Sequence, residues 1–165
     1  MSSQPTTGVT IRRATHTDLD RLGELAGALV RFHNSANSRR FMLVDGVEQG
    51  YARWFAREIG RPEAVVLAAV SDGQLVGYGY GSKEERDWNM LLDEHGAIHD
   101  VFVDESARQT GVGVALVRAL CEALTALGCP RIVLSTMVEN ERAQRVFKSL
   151  GFRPTMLEMT READE

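Results

Sequence analysis

The stretch Val101-Phe102-Val103-Asp104-Glu105-Ser106-Ala107-Arg108-Gln109-Thr110-Gly111-Val112-Gly113-Val114-Ala115-Leu116 decides the fold. It runs from an apolar, β-branched strand end through a polar turn into glycines that open an apolar helix. The first turn of such a helix carries backbone N–H groups with no intrahelical acceptor, and the helix dipole adds positive potential there. Such a start is an anion site of the kind that holds a pyrophosphate. Gly111 and Gly113 let phosphates approach the backbone, and Arg108 adds a charge-assisted donor. Two familiar nucleotide spacings fail. A Walker loop needs Gly-Lys-Ser/Thr, and this turn has no lysine. A G-x-G-x-x-G fingerprint needs glycine or alanine at position 116, which is Leu116.

Downstream, a helix over residues 111–127 carries Leu116, Leu120, Leu124 and Leu127 on one stripe and is apolar around much of its circumference, so it should lie against a sheet. Gly128-Cys129-Pro130 ends it. A strand over 131–136, a helix over 140–150 stopped by Gly151, and a final strand over 153–160 follow. Upstream, a strand over 97–103 is preceded by two strand-like runs, 64–71 and 74–81, separated by the hairpin signal Asp72-Gly73. In the second run Val76, Tyr78 and Tyr80 share one face and Gly77, Gly79 and Gly81 the other. A glycine face admits either a ligand or backbone, or a tightly packed helix.

Nearer the N-terminus, residues 9–13 read as a strand and Thr15 with Asp18 as a capping box. Helical spacing of Leu19, Leu22, Ala26, Leu29 and Val30 predicts a helix ending near His33, and a second helix spans 46–59. The polar interval 82–96, which holds Trp88 and Met90, reads as a functional loop. The order βααβββαβαβ predicts a mixed α/β sheet of six or seven strands flanked by about four helices.

At 165 residues the chain is one domain's worth. The expected division is a loose tail over 1–8, a folded domain over 9–161 and a short tail over 162–165. A 44% hydrophobic and 25% charged composition is that of a globular protein. The net charge of −4 argues against nucleic acid as a partner. The longest apolar run, 64–70, is far short of the ~20 residues that cross a membrane. The N-terminus lacks a basic segment followed by an apolar one, so the expected location is the cytoplasm. Cys121 and Cys129 read as packing residues; neither a disulfide framework nor a metal site is expected.

Arg108, Gly111 and Gly113 satisfy Q/R-x-x-G-x-G/A, the acyl-CoA signature of the GCN5-related N-acetyltransferase (GNAT) family. Asn140-Glu141-Arg142-Ala143-Gln144-Arg145-Val146-Phe147-Lys148-Ser149-Leu150-Gly151-Phe152 resembles that family's N-x-x-A-x-x-x-Y/F-x-x-x-G-F segment. The element order is similar from Val9 to Thr160. The resemblance implies an acetyl-CoA-dependent N-acetyltransferase acting on a primary amine by direct attack in a ternary complex. It assigns Val101, Phe102 and Val103 to the pantetheine arm and thioester. Arg108, Gln109, Thr110, Gly111, Val112 and Gly113 would hold the pyrophosphate, and Asn140 and Phe147 would also meet the cofactor. For Asn140 a helix N-cap is an equally open reading. A homodimer is a further implication.

The sequence departs from the family pattern at Phe147, where many members place a tyrosine whose hydroxyl protonates the departing thiolate. Tyr78, Tyr80 or water would have to substitute. The missing hydroxyl also motivates an alternative class, an acyl-CoA-binding sensor without turnover. For the base, His99 and Asp100 stand where polyamine-type acetyltransferases read Ile-Glu-Asp. An imidazole, which ionises at about 6.5, suits proton transfer at neutral pH. Strand alternation would allow only one of the pair to face the acceptor. Acceptor contacts are expected from 33–45 and 82–96, where Glu84, Glu85, Asp87, Asp93 and Glu94 favour a cationic amine and Arg39 and Arg40 would steer a carboxylate.

Overall fold

The structure, a computed structural model, describes residues 8–164. The expected N-terminal tail therefore lies outside the described residues except for Gly8, as does Glu165 of the C-terminal one. The chain forms two compact units, one ending at Ser135 and one beginning at Thr136.

The first unit holds a single five-stranded sheet in the order β1-β2-β3-β4-β5. Its strands are β1 (Val9–Arg13), β2 (Ala64–Ser71), β3 (Gln74–Glu84), β4 (His95–Val103) and β5 (Ile132–Leu134). All neighbours are antiparallel except β4 and β5. Helices α1 (Leu19–Ala36) and α2 (Val47–Glu58) precede β2, and α3 (Val112–Ala126) makes the crossover from β4 to β5. Short 3-10 turns lie at His16–Asp18 and Glu105–Ala107. The Asp18 carboxylate caps the first of these turns. It accepts from the Thr15 N–H at 2.8 Å and from both terminal nitrogens of Arg12 at 2.7 and 2.9 Å. Asp72 and Gly73 both take positive φ (49° and 77°), the conformation that a two-residue turn matched to strand twist requires.

The glycine face of β3 is filled by a helix. A Cβ at Gly79 would lie 2.8 Å from Leu120 Cδ1, and one at Gly81 would lie 3.2 Å from Leu124 Cδ1. At Gly77 it would meet the Phe102 carbonyl at 2.9 Å and Leu116 Cδ1 at 3.4 Å. Successive glycines two apart on the strand thus accept successive leucines four apart on α3, and α3 lies close on the sheet. On the opposite face Tyr78 and Tyr80 join Leu22, Leu25, Ala26 and Leu29 of α1 and Phe55 of α2 in the main core. The first unit is therefore three layers, with the sheet between α1 with α2 and α3.

The second unit contains α4 (Glu141–Ser149). Asn140 is its N-cap, the side-chain oxygen accepting from the Ala143 N–H at 3.1 Å. Gly151 at φ 90° closes it, with the Phe152 N–H reaching back to the Phe147 carbonyl at 3.1 Å.

Three expectations need correction. The sheet has five strands among the described residues, not six or seven. Residues 153–160 form no strand. Pro154 supplies no N–H to a ladder, and the adjacent pair Met156 and Leu157, both exposed, breaks the alternation a half-buried strand needs. The interval 82–96 is not all loop, because β3 runs on to Glu84 and β4 begins at His95. No helix among the described residues is long and apolar enough to cross a membrane.

Candidate active site

β4 positions most of the candidate residues, and its ladder with β3 contains one irregularity. Tyr80 pairs with Asp100 but Gly81 pairs with Ile98, so His99 is an extra residue, a β-bulge. The bulge interrupts the strict alternation expected to send His99 and Asp100 to opposite faces. Both line one cavity of about 760 Å³, together with Tyr80 and Glu84 of β3, Tyr51, Arg53 and Trp54 of α2, and Asp45 just before α2.

Four side chains on the wall of this cavity, His99, Asp100, Tyr80 and Glu84, are held by hydrogen bonds. The His99 ring stacks on Tyr80, with centroids 5.2 Å apart, and its Nε2 lies 2.8 Å from Ser82 Oγ and 3.3 Å from Glu84 Oε1. Tyr78 donates its hydroxyl to Asp100 at 3.1 Å, and Tyr80 donates to the buried Glu58 at 2.6 Å. Arg61 completes the Glu58 site with a contact of 3.0 Å.

These surroundings set the proton affinities. Burial pushes the Asp100 carboxyl up, against the opposing pull of the Tyr78 hydroxyl and the nearby His99 and His33. Burial likewise raises Tyr78, and it raises Tyr80, where hydrogen bonding to Glu58 adds to it. Tyr51 rises through burial and the neighbouring Asp100. At Glu84 partial burial pushes upward, but bonding to Ser82 and His99 outweighs it, and the carboxyl lies below its usual range. The two tyrosine hydroxyls considered as substitutes for the one absent at Phe147 are thus both engaged, Tyr78 with its whole side chain buried.

Further along β4 the backbone changes role. The Asp104 N–H bonds to the Val76 carbonyl at 2.8 Å, which makes Phe102–Tyr78 and Asp100–Tyr80 the hydrogen-bonded pairs of the antiparallel ladder. Val101 and Val103 therefore turn their N–H and C=O groups to the other edge. There β5 pairs with Gly96, Ala97 and Ile98, and among the described residues no strand pairs with Val101 or Val103 on that edge. Arg108 folds back at its end, donating Nε–H to the Val103 carbonyl at 3.2 Å and lying 5.7 Å from the Phe102 ring centroid.

The turn that follows is wound left-handed at Gln109 (φ 64°) and Gly111 (φ 86°), and Thr110 ties its hydroxyl to the Ala107 carbonyl. The first backbone bond of α3 runs from the Ala115 N–H to the Gly111 carbonyl at 3.0 Å. The N–H groups of Val112 and Gly113 precede it and have no acceptor within the helix. Gly113 has no positive φ, and a Cβ there would touch only Val103, at 3.8 Å. Neither backbone nor packing demands glycine at 113, and its absent side chain leaves a cradle at the helix start.

Asn140 and Phe147 belong to the second unit, where Asn140 caps α4 and Phe147 packs edge-on against Phe152 with ring centroids 6.0 Å apart. The N-cap reading of Asn140 holds.

Sequence reasoning missed most of the cavity wall. Of the five carboxylates expected to draw the acceptor, only Glu84 lines the cavity. Asp93 is bound to Arg86 and Glu94 to Lys83, both at 2.9 Å. Tyr51 and Trp54 read only as one face of a helix, and Ser82 and Glu84 as loop. The available signal was the i, i+2 spacing of Tyr80, Ser82 and Glu84, which continues one face of β3.

Known proteins share this architecture. The aminoglycoside N(6')-acetyltransferase type 1 of Klebsiella aerogenes is 28% identical over 101 residues, covering 61% of this chain and 66% of that protein. The glucosamine 6-phosphate N-acetyltransferase of Trypanosoma brucei brucei is 40% identical over 58 residues, covering 35% of this chain and 37% of that protein. The chain thus spans less than two thirds of the length of these curated relatives. The structure of AAC(6')-Iy in complex with the bisubstrate analog CoA-S-monomethyl-acetylneamine has the same fold, with a TM-score of 0.75 at 22% identity over 94% of this chain and 98% of that one. Residues 29–152 match the acetyltransferase (GNAT) family, and the chain belongs to that family.

Proposed function

We propose that the chain is an N-acetyltransferase that transfers the acetyl group of acetyl-CoA to a primary amine by direct attack in a ternary complex. One observation carries this reading. A single strand, β4, leads from His99 and Asp100 on a cavity, past the backbone edge of Val101 and Val103 that no described strand pairs, to the glycine-opened start of α3. Such a track suits a ligand with an anionic end, an amide-bearing arm and a thioester. The N–H groups of Gln109 to Gly113 and Arg108 would receive the pyrophosphate, and the groups of Val101 and Val103 the pantetheine arm. Gly113 supports this, since among the described residues a Cβ there would touch only Val103, at 3.8 Å.

In the reaction the amine nitrogen attacks the thioester carbonyl. A C–N bond forms, the C–S bond breaks, coenzyme A leaves as thiolate, and the surplus proton on the new amide nitrogen passes to that thiolate or to water. An arriving ammonium must first lose a proton, and His99 is the proposed base with Asp100 beside it. Asp45, Glu84 and Asp100 give the cavity more acidic than basic side chains and favour a cationic acceptor, such as the amino sugars named for the relatives.

A second reading, an acyl-CoA sensor without turnover, draws on Phe147 and on the engagement of both the Tyr78 and Tyr80 hydroxyls. Thiol release from acetyl-CoA across a panel of amines separates the two. Amine-dependent release is expected. Tight CoA binding with no release across polyamines, amino sugars and lysine peptides would replace the enzyme with the sensor.

A further inference from the structure

Ser82 and Glu84 stand on the same face of β3 and meet the ring of His99 at one nitrogen. Three contacts close a triangle. Ser82 Oγ lies 2.5 Å from Glu84 Oε1 and 2.8 Å from His99 Nε2, and Glu84 Oε1 lies 3.3 Å from the same Nε2. Nδ1 of His99 has no hydrogen-bond partner among the described residues.

Counting protons decides the arrangement. A serine hydroxyl has one hydrogen, and an ionised carboxylate only accepts. The surroundings of Glu84 hold it below the usual carboxyl range, so it is ionised at neutral pH. The hydrogen of Ser82 must therefore lie on its short contact with Glu84. What Ser82 offers His99 is then a lone pair, and the hydrogen in that contact must come from Nε2. The neighbouring groups do not compete for the ring nitrogens. Asp100 takes the Tyr78 hydroxyl, Glu58 is shared by Tyr80 and Arg61, and Tyr80 meets the ring with its face.

We propose that Ser82 and Glu84 are positioning residues that fix neutral His99 as the Nε2–H tautomer, leaving Nδ1 as the nitrogen that takes the acceptor's proton. The proposal rests on His99 being the base. Proton transfer to Nδ1 makes an imidazolium whose Nε2–H already points at Ser82 and Glu84. The carboxylate thus stabilises the charge that forms while the ring keeps its place in the bulge.

The test is nitrogen NMR of the protein labelled at histidine ring nitrogens, read above the pH at which imidazoles titrate, with His99→Ala identifying the signals. The expected spectrum has a pyrrole-type Nε2 and a lone-pair Nδ1. A wild-type spectrum with the hydrogen on Nδ1 overturns the proposal. Glu84→Gln, at a half-exposed position, should mix the two tautomers. It should also lower kcat roughly tenfold, part of the about 10²–10⁴ that a positioned base contributes, with KM for acetyl-CoA unchanged. Unchanged tautomer and kcat in that variant would also overturn it. Failure of the underlying reading looks different. In that case His99→Ala would keep full turnover while the wild-type spectrum still showed the Nε2–H form.

Discussion

On one face of β3, Gly77, Gly79 and Gly81 give way to Leu116, Leu120 and Leu124 of α3; on the other, Tyr78 and Tyr80 donate their hydroxyls to Asp100 and Glu58. The same strand is thus volume-limited on one side, while on the other its tyrosines cross an apolar core and end in hydrogen bonds to carboxylates, which makes that side proton-limited. The division matters for function because the glycine face brings α3 close to the sheet. Gly113, in the first turn of α3, accordingly lies beside Val103 at the end of β4. The tyrosine face holds the two candidate bases against the cavity. Packing on one side positions the candidate phosphate site, and hydrogen bonding on the other positions the candidate proton acceptors.

The largest effect is expected on the glycine face. Leu120 is fully buried, and Leu120→Ala should cost about 2–5 kcal/mol in denaturant unfolding through lost burial and the void left behind. A loss under about 1 kcal/mol would mean that α3 closes down on the glycines and that their spacing is not volume-limited. Tyr80→Phe on the opposite face removes one donor from buried Glu58 and leaves Arg61, so it should cost about 1–3 kcal/mol with the cavity wall kept aromatic. Finding it neutral would show that the hydroxyl is not needed to satisfy the carboxylate.

The smallest effect concerns Asp100. Burial raises its folded pKa above the unfolded value, so the folded state holds the proton more tightly. Its contribution to stability is complete below the ordinary carboxyl range and is lost as pH rises through the raised value. Asp100→Asn should flatten the dependence of unfolding free energy on pH across that window. An unchanged slope would remove Asp100 from the proton-limited side of the comparison.

Much of this division was legible in the sequence. Alternation separated the tyrosines from the glycines, and the Asp72-Gly73 turn, the Thr15–Asp18 capping box and the Asn140 cap all stand where their chemistry indicates. The glycine-opened start of α3 was legible because helix termini and positive φ leave residue-type signatures. The rest depends on partners distant in sequence. Ser82, Lys83 and Glu84 look like loop because they are polar, yet they belong to β3 and take His99 and Glu94 as partners. Residues 153–160 have strand-like composition, but composition does not provide a neighbouring strand. The bulge leaves no mark in a single sequence, because it is a mismatch in length between two strands.

That mismatch has a consequence for how the site can change. In the ladder between β3 and β4, His99 is the supernumerary residue and is opposite nothing. Tyr80 pairs with Asp100 and Gly81 with Ile98, so the ladder closes on either side of position 99 through backbone alone. The sheet holds this position without using it for pairing, so the chemistry there can be rewritten with little demand on the fold. Position 99 is a vacancy in the architecture that the fold leaves for chemistry to fill.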